Sequence, residues 1–315
     1  LNEIAKQRRD LTREEILSMA EEKKGEIRNI SDYTALLLVA IDLGVKLSIK
    51  PSLTTPLGKL VDNLNNVTVK GNTVYKCGEW GIFVSGGEEN FVIENTVKNN
   101  RRNRFNGGGI KIYSSGTTVS NNYLAENEGS GISVSGDGNL VESNLIENNT
   151  GNEIWIGGEG NRILNNMIWG FSIFINTGNV VENNRFNQGM IYYLDGVKGT
   201  EEEPVVVEED ASTVILYSCS FVEIRNSTLT KNDYGIYVKD SDNITILNNM
   251  IHNNTKHGIY IYKSESCQIF GNDVSDNKED GIYLDNSQGV VVRNNRVLRN
   301  TNGIRLLKTS VEVID

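Results

Sequence analysis

Residues 248–262 read NNMIHNNTKHGIYIY. The stretch holds both histidines of the chain, His252 and His257, beside a lysine and two tyrosines. Such a cluster invites an active-site reading, but the rest of the chain argues for another. An Asn after a β-rich run, then a turn, then Gly-Ile or its like, returns in GNDVSDNKEDGIYLD and in NNRVLRNTNGIRLL. His252 stands where those copies carry Ser275 and Leu298. His257 stands where Tyr234, Asp280 and Asn302 stand. Positions that vary freely among copies suit solvated loops, so both histidines are expected to be at least partly exposed. A two-histidine metal site would need a third ligand from a neighbouring copy. No metal and no other cofactor is expected.

Outward from this stretch the same marker residue recurs at Asn72, Asn95, Asn122, Asn144, Asn166, Asn184, Asn249, Asn272 and Asn295, with Ser227 in the same place. Most of the spacings are 22 or 23 residues. The Gly of Gly-Ile recurs at Gly81, Gly109, Gly131, Gly235, Gly258, Gly281 and Gly303. A unit of this length with two or three short strands is one coil of a solenoid. Within GIYIY, Ile259 and Ile261 face one way and Tyr260 and Tyr262 the other. The expected fold is all-β: a right-handed parallel β-helix of about eleven coils, forming one rod of roughly 50 Å at about 4.8 Å per coil. The Asn column is expected at a turn, with stacked amides bonded from coil to coil. Only 3 prolines occur, as expected where nearly every amide is needed in a ladder.

The chain has 315 residues and a net charge of −10. Residues 1–60 hold 10 basic and 9 acidic residues, leaving 21 basic and 32 acidic to the remainder. An acidic rod repels phosphate backbones, so nucleic acid is an unfavourable partner for the repeat region. Cys77, Cys219 and Cys267 form neither a C-x-x-C motif nor an even set, so no zinc motif or disulfide framework is expected. The run ALLLVA is too short to span a bilayer. No signal peptide is visible, and the reading leans to a cytoplasmic setting over an exported one. A first residue of Leu is compatible with a leader removed before it. Residues 1–47 read as a helical segment, with a capping box at Thr12-Arg-Glu-Glu15 and a second helix over DYTALLLVAIDL. Residues 48–65 read as a linker and residues 66–315 as the β-helix. The helical segment is expected to cover one end of the solenoid.

DNITILNNMIHNNTKHGIYIYKS and NSQGVVVRNNRVLRNTNGIRL resemble the right-handed parallel β-helix repeat proteins over about residues 66–310. That group includes carbohydrate-binding and sugar-hydrolase β-helices and the periplasmic nitrous-oxide-reductase maturation type. The resemblance implies the fold and says little of activity. The N-T-D, D-D and G-H-G set of polygalacturonases and the D-P-H-E stretch of alginate epimerases are absent from the sequence. LTREEILSMAEEKKGEIRNISDYTALLLVAIDLGVKL, followed by PLGKLVDNLNNVTVKGNTV, is more weakly similar to the start of archaeal replication protein A. That likeness implies a protein-interaction segment in residues 1–47, partnering nucleic-acid machinery.

Sites on a β-helix lie where neighbouring coils bring equivalent outward residues together. After each Gly-Ile the outward column reads Phe83, Lys111, Ser133, Trp155, Phe174, Ile215, Tyr237, Tyr260, Tyr283 and Arg305, with Tyr192 a further member. Its aromatic members suit stacking on sugars, and equally a structural ladder of strand-favouring residues. Trp155, Tyr237, Tyr260, Tyr283 and Arg305 are the expected carbohydrate-binding residues. Two positions on, the outward column reads Lys239, Tyr262 and Asp285. A uronate lyase or epimerase needs a base, an acid and a cation, roles that Tyr262 and Lys239 could fill, with Arg305 near Tyr283 as a further cation. Arg101, Arg102 and Arg104 form a local anion-binding patch. The leading expectation is a non-catalytic module that binds or scaffolds an extended polymer, a glycan, or another protein. A polysaccharide lyase or epimerase is the second expectation, and a partner of nucleic-acid machinery through residues 1–47 the third.

Overall fold

A computed structural model describes residues 61–101, 107–170, 172–187, 189–208 and 210–314. Every regular element in them is a strand. The helices expected in residues 1–47 lie outside the described residues. Parallel strands stack in about eleven coils, as the repeat spacing requires.

The coils fall into two stacks rather than one rod. In the first, three six-strand columns run from Val61–Asp62, Thr68–Lys70 and Thr73–Tyr75 to Ile173–Ile175, Val180–Glu182 and Arg185–Phe186. The chain then turns back on itself. Arg185–Phe186 pairs antiparallel with Gly189–Asp195, which begins the second stack. The third sheet thereby becomes a 12-stranded sheet shared by both stacks. Strand direction along this sheet reverses at the hairpin. A coil of the same hand can continue only if its interior passes to the other face of the sheet.

The strand Ala211–Tyr217 shows that exchange. All seven of its residues are buried. Val214 and Leu216 pack into the core of the second stack, whereas Ile215 and Tyr217 pack against the core of the first. The hydroxyl of Tyr217 donates to the carbonyl of Ile175 at 3.0 Å, and that of Tyr193 to the carbonyl of Asn176 at 2.7 Å. The second stack thus closes the open end of the first with its outer face, and an elbow forms. The segment GVKGTEEEPVVVEED supplies part of the second stack's first coil, with Val205–Glu208 pairing on Ser220–Arg225.

Side-chain ladders hold successive coils together. The Oδ1 of Asn272 accepts from the backbone amide and the Nδ2 of Asn249, at 2.9 and 3.0 Å, and Asn272 passes the same pair of bonds to Asn295. Ser227 begins this column by donating its amide to Asn249. The residue before each rung has positive φ, as Asn248 (53°) and Asn294 (51°) do, a conformation Asn tolerates. A second Asn column, Asn232 to Asn254 to Asn277 to Asn300, and a serine column, Ser241 to Ser264 to Ser287, tie the other corners. Gly258 is required by this packing. A Cβ there would sit 2.6 Å from Val274 Cγ1 and 2.9 Å from Asn277 Nδ2.

Candidate functional site

Strand register fixes the outward columns. In the first stack Phe83, Lys111, Ser133, Trp155 and Phe174 are successive partners. In the second stack the order is Tyr193, Ile215, Tyr237, Tyr260, Tyr283, Arg305. The expected single column is therefore two columns. Tyr193, not Tyr192, occupies the doubtful place, and Ile215 is buried under the first stack. Lys239, Tyr262 and Asp285 do lie side by side in three consecutive strands.

The rings face each other rather than the solvent. Tyr260 and Tyr283 stack with centroids 4.9 Å apart and planes 5° apart. The Arg305 guanidinium covers Tyr283 at 5.0 Å. Tyr237 tilts against Tyr260 at 5.5 Å and against Tyr217 at 5.7 Å. The half-buried column thus offers ring edges and hydroxyls to a ligand lying along it. Burial raises the phenol pKa throughout the row, pushing Tyr237 up to about 12 and Tyr260 and Tyr283 above their ordinary value. These phenols stay neutral, which leaves their hydroxyls able to donate to a ligand.

In the first stack Trp155 and Phe174 stack 5.8 Å apart and 18° from parallel. Phe174 sits on the last strand of its sheet, so its face away from Trp155 meets no further coil. That face borders a cleft at the elbow. Ile173, Phe174 and Ile175 form one wall, and Ile215, Tyr217, Tyr237 and Tyr260 the other. Thr213, Asn232, Asp233 and Tyr234 complete the lining, which contains neither Lys nor Arg. Asp233 is already engaged, 2.8 Å from Lys256 Nζ and 2.6 Å from the Thr255 hydroxyl. The elbow brings Phe174 to Tyr237 and Tyr260, 63 and 86 residues further along the chain. The sequence signal for this meeting was the loss of in–out alternation in ASTVILY.

His257 is buried, against expectation, and only His252 is partly exposed. The His257 Nδ1 accepts the backbone amide of Asp280 at 3.1 Å, and its Nε2 lies 3.1 Å from Glu279. Its ring packs against Tyr234, Tyr260 and Tyr283. Burial lowers its pKa, with Glu279 and Asp280 pulling the other way. Asp280 is buried beneath Tyr283, within 3.7 Å of Arg305, and accepts from Asn302 Nδ2 at 2.5 Å. Of the arginine patch, Arg101 is exposed, while Arg102 and Arg104 lie outside the described residues.

Two family models match the chain: Right handed beta helix region over residues 58–202, and Periplasmic copper-binding protein (NosD) over residues 168–314. No curated protein matches it. Among solved structures, the A-module of the Azotobacter vinelandii mannuronan C-5 epimerase AlgE6 is 18% identical, over 86% of each chain, with a TM-score of 0.37. The AlgE4 A-module from the same organism is 16% identical, over 83% of this chain and 85% of that one, with a TM-score of 0.36. The enzymatically active domain of bacteriophage CBA120 tailspike protein 2 is 11% identical, over 81% of this chain and 40% of that one, with a TM-score of 0.32. No activity is carried over from these structures.

The described residues do not fit a copper centre. Copper seeks converging thiolate, thioether or imidazole ligands. Cys77, Cys219 and Cys267 are each buried and unbridged, and the His257 Nδ1 is taken by a backbone amide. Among the described residues no three His, Cys, Asp or Glu side chains are placed to hold a metal ion together. No helix among them is long and apolar enough to cross a membrane.

Proposed function

The chain is a right-handed parallel β-helix repeat protein, and we propose that it works as a non-catalytic binding module for an extended glycan. The elbow cleft carries this reading. It sets the open face of Phe174 opposite Tyr237 and Tyr260 in an apolar recess between two units, where ligand sites concentrate. One sugar ring enters the recess against aromatic faces. The rest of the chain lies over Tyr260, Tyr283 and Arg305 and hydrogen-bonds to their edges. Individual contacts of this kind are weak, so affinity comes from several in a row.

The neutral phenols of Tyr237, Tyr260 and Tyr283 suit hydrogen bonding to a sugar and not proton abstraction by these three residues. The lyase or epimerase reading retains one supporting observation, the juxtaposition of Lys239, Tyr262 and Asp285. Against it, Lys239 already has Asp240 within 3.8 Å. A panel of neutral and uronate-containing polymers separates the two readings. Binding of a neutral polymer, weakened about tenfold by Phe174→Ala, supports the module. Cleavage of a uronate polymer to an ultraviolet-absorbing unsaturated product, stopped by Tyr262→Phe, would replace it. An inert panel would leave residues 1–47, as bait for protein partners, as the next test.

A further inference from the structure

We infer that the elbow makes the binding face blind-ended, so that the protein holds the terminus of a neutral glycan chain and not an internal segment. The inference rests on the proposed binding module and adds where along the polymer it binds. The row of Arg305, Tyr283, Tyr260 and Tyr237 runs along the coil axis. One coil beyond Tyr237 the column reaches Ile215, which is only 7% exposed because the first stack lies over it. Phe174 stands across the path at this point. The Tyr217 hydroxyl, bonded to the carbonyl of Ile175, joins the two walls of the cleft. A polymer following the row towards Ile215 therefore has no exit along the axis, and the ring entering the recess is its last.

Charge selects the class of terminus. The lining holds no basic residue, and its one carboxylate, Asp233, is already paired with Lys256. A uronate end would meet an ion pair whose cation, Lys256, already serves Asp233. A cationic sugar would find the carboxylate occupied. A neutral pyranose suffers neither penalty.

A second observation points to a ligand donor. Asn232 is the first rung of its ladder. Its amide donates to Asn254, and its Nδ2 donates to the carbonyls of Ser212 and Thr230. Its Oδ1 is buried without a hydrogen-bond partner in the cleft wall. A buried acceptor left unpaired is costly, and a ligand hydroxyl that shifts the wall slightly supplies the donor.

The test uses the full chain and the neutral polymer that binds best in the panel described above, intact and after partial hydrolysis to short oligomers. Terminus recognition predicts that binding per unit mass of glycan rises in proportion to the number of ends, and that Phe174→Ala lowers affinity for the oligomers about tenfold. Binding that tracks glycan mass and ignores the number of ends overturns the inference while leaving the binding module standing. Oligomer affinity unchanged by Phe174→Ala overturns it too. Protection of Phe174 from hydroxyl-radical labelling in the ligand-free chain would also overturn it, by showing that the chain's own residues fill the recess. If no neutral polymer binds at all, the binding module itself falls, and the inference with it.

Discussion

By the rule of its ladder, Asn149 needs an acceptor from an asparagine 22 residues on, but position 171 is Phe. Glu153 takes over. Its two carboxyl oxygens accept from the Asn149 amide at 3.1 Å and from Nδ2 at 2.6 Å, and Gly170 leaves it room. Burial pushes its pKa from 4.5 up to about 8, with the Asn149 hydrogen bonds acting in the other direction. A carboxyl with a raised folded pKa gives full stability below its unfolded pKa, so stability falls as pH rises from about 4.5 to about 8. At about 1.4 kcal/mol per unit the effect reaches several kcal/mol. Glu153→Gln is expected to raise the melting temperature at pH 8 and flatten the profile below it. An unchanged profile in thermal unfolding would refute the substitution of carboxyl for amide.

His257 is where repeat reasoning failed. Its position varies among Tyr234, His257, Asp280 and Asn302, which suggested solvent. The structure shows that His257 and Asp280 each accept a hydrogen bond from the next coil and are buried, so at these two copies the position is variable and buried at once. His257→Asn, which the sequence reading would treat as neutral, is expected to cost about 1 kcal/mol by removing the ring packed against Tyr234, Tyr260 and Tyr283, even where the Asn Oδ1 takes over the Asp280 amide. Because burial lowers the His257 pKa, its contribution is present above pH ~6.5 and declines as the solution is acidified below that. A melt of the Asn variant against wild type at neutral and mildly acid pH reads both effects.

At the scale of the coil, the sequence was informative because the coil obeys two spacings at once. Gly-Ile fixes where a strand begins, and the marker Asn stands nine residues before it, as Asn249 before Gly258 and Asn272 before Gly281, opening a short strand of its own, as Asn249 precedes Met250–His252. Ile259 and Ile261 are fully buried, as alternation required, and Ile259→Ala is expected to cost roughly 2–5 kcal/mol. The Asn249–Asn272–Asn295 column was legible from spacing alone. The serine column was not, since Ser241, Ser264 and Ser287 lie among other polar residues that do not repeat. Asn272→Ala removes the acceptor for Asn249 and the donor to the carbonyls of Ile246 and Phe270. At about 1–3 kcal/mol per orphaned buried group, its cost should equal or exceed that of Ile259→Ala in denaturant titration. A cost well under 1 kcal/mol would mean that the ladders follow the fold without holding it.

At the scale of the molecule, the sequence predicted one rod, and the chain builds two stacks around an elbow. The hairpin between Phe186 and Gly189 carries no strong turn signal, since N-Q-G also fits an ordinary corner. What marks the elbow is ASTVILY, whose two faces are both apolar because each meets a core. The candidate site was legible residue by residue, as Trp155, Tyr237, Tyr260 and Tyr283, but the meeting of Phe174 with the second stack depends on the elbow and has no counterpart in a straight solenoid. Tyr217→Ala, which removes a buried ring and its bond to Ile175, is expected to uncouple the stacks and split one thermal transition into two. A single transition shifted downwards would instead mean that the stacks remain one cooperative unit.

The central claim is that function sits in the elbow. Hydroxyl-radical footprinting of the full chain, with and without the best-binding neutral glycan, tests it most directly. The account predicts ligand-dependent protection at Phe174, Tyr237 and Tyr260, with Tyr75 and Tyr113, exposed on the first stack, labelled equally in both samples. Protection confined to another surface, such as the exposed Met167 and Trp169, with Phe174, Tyr237 and Tyr260 unchanged, would contradict it.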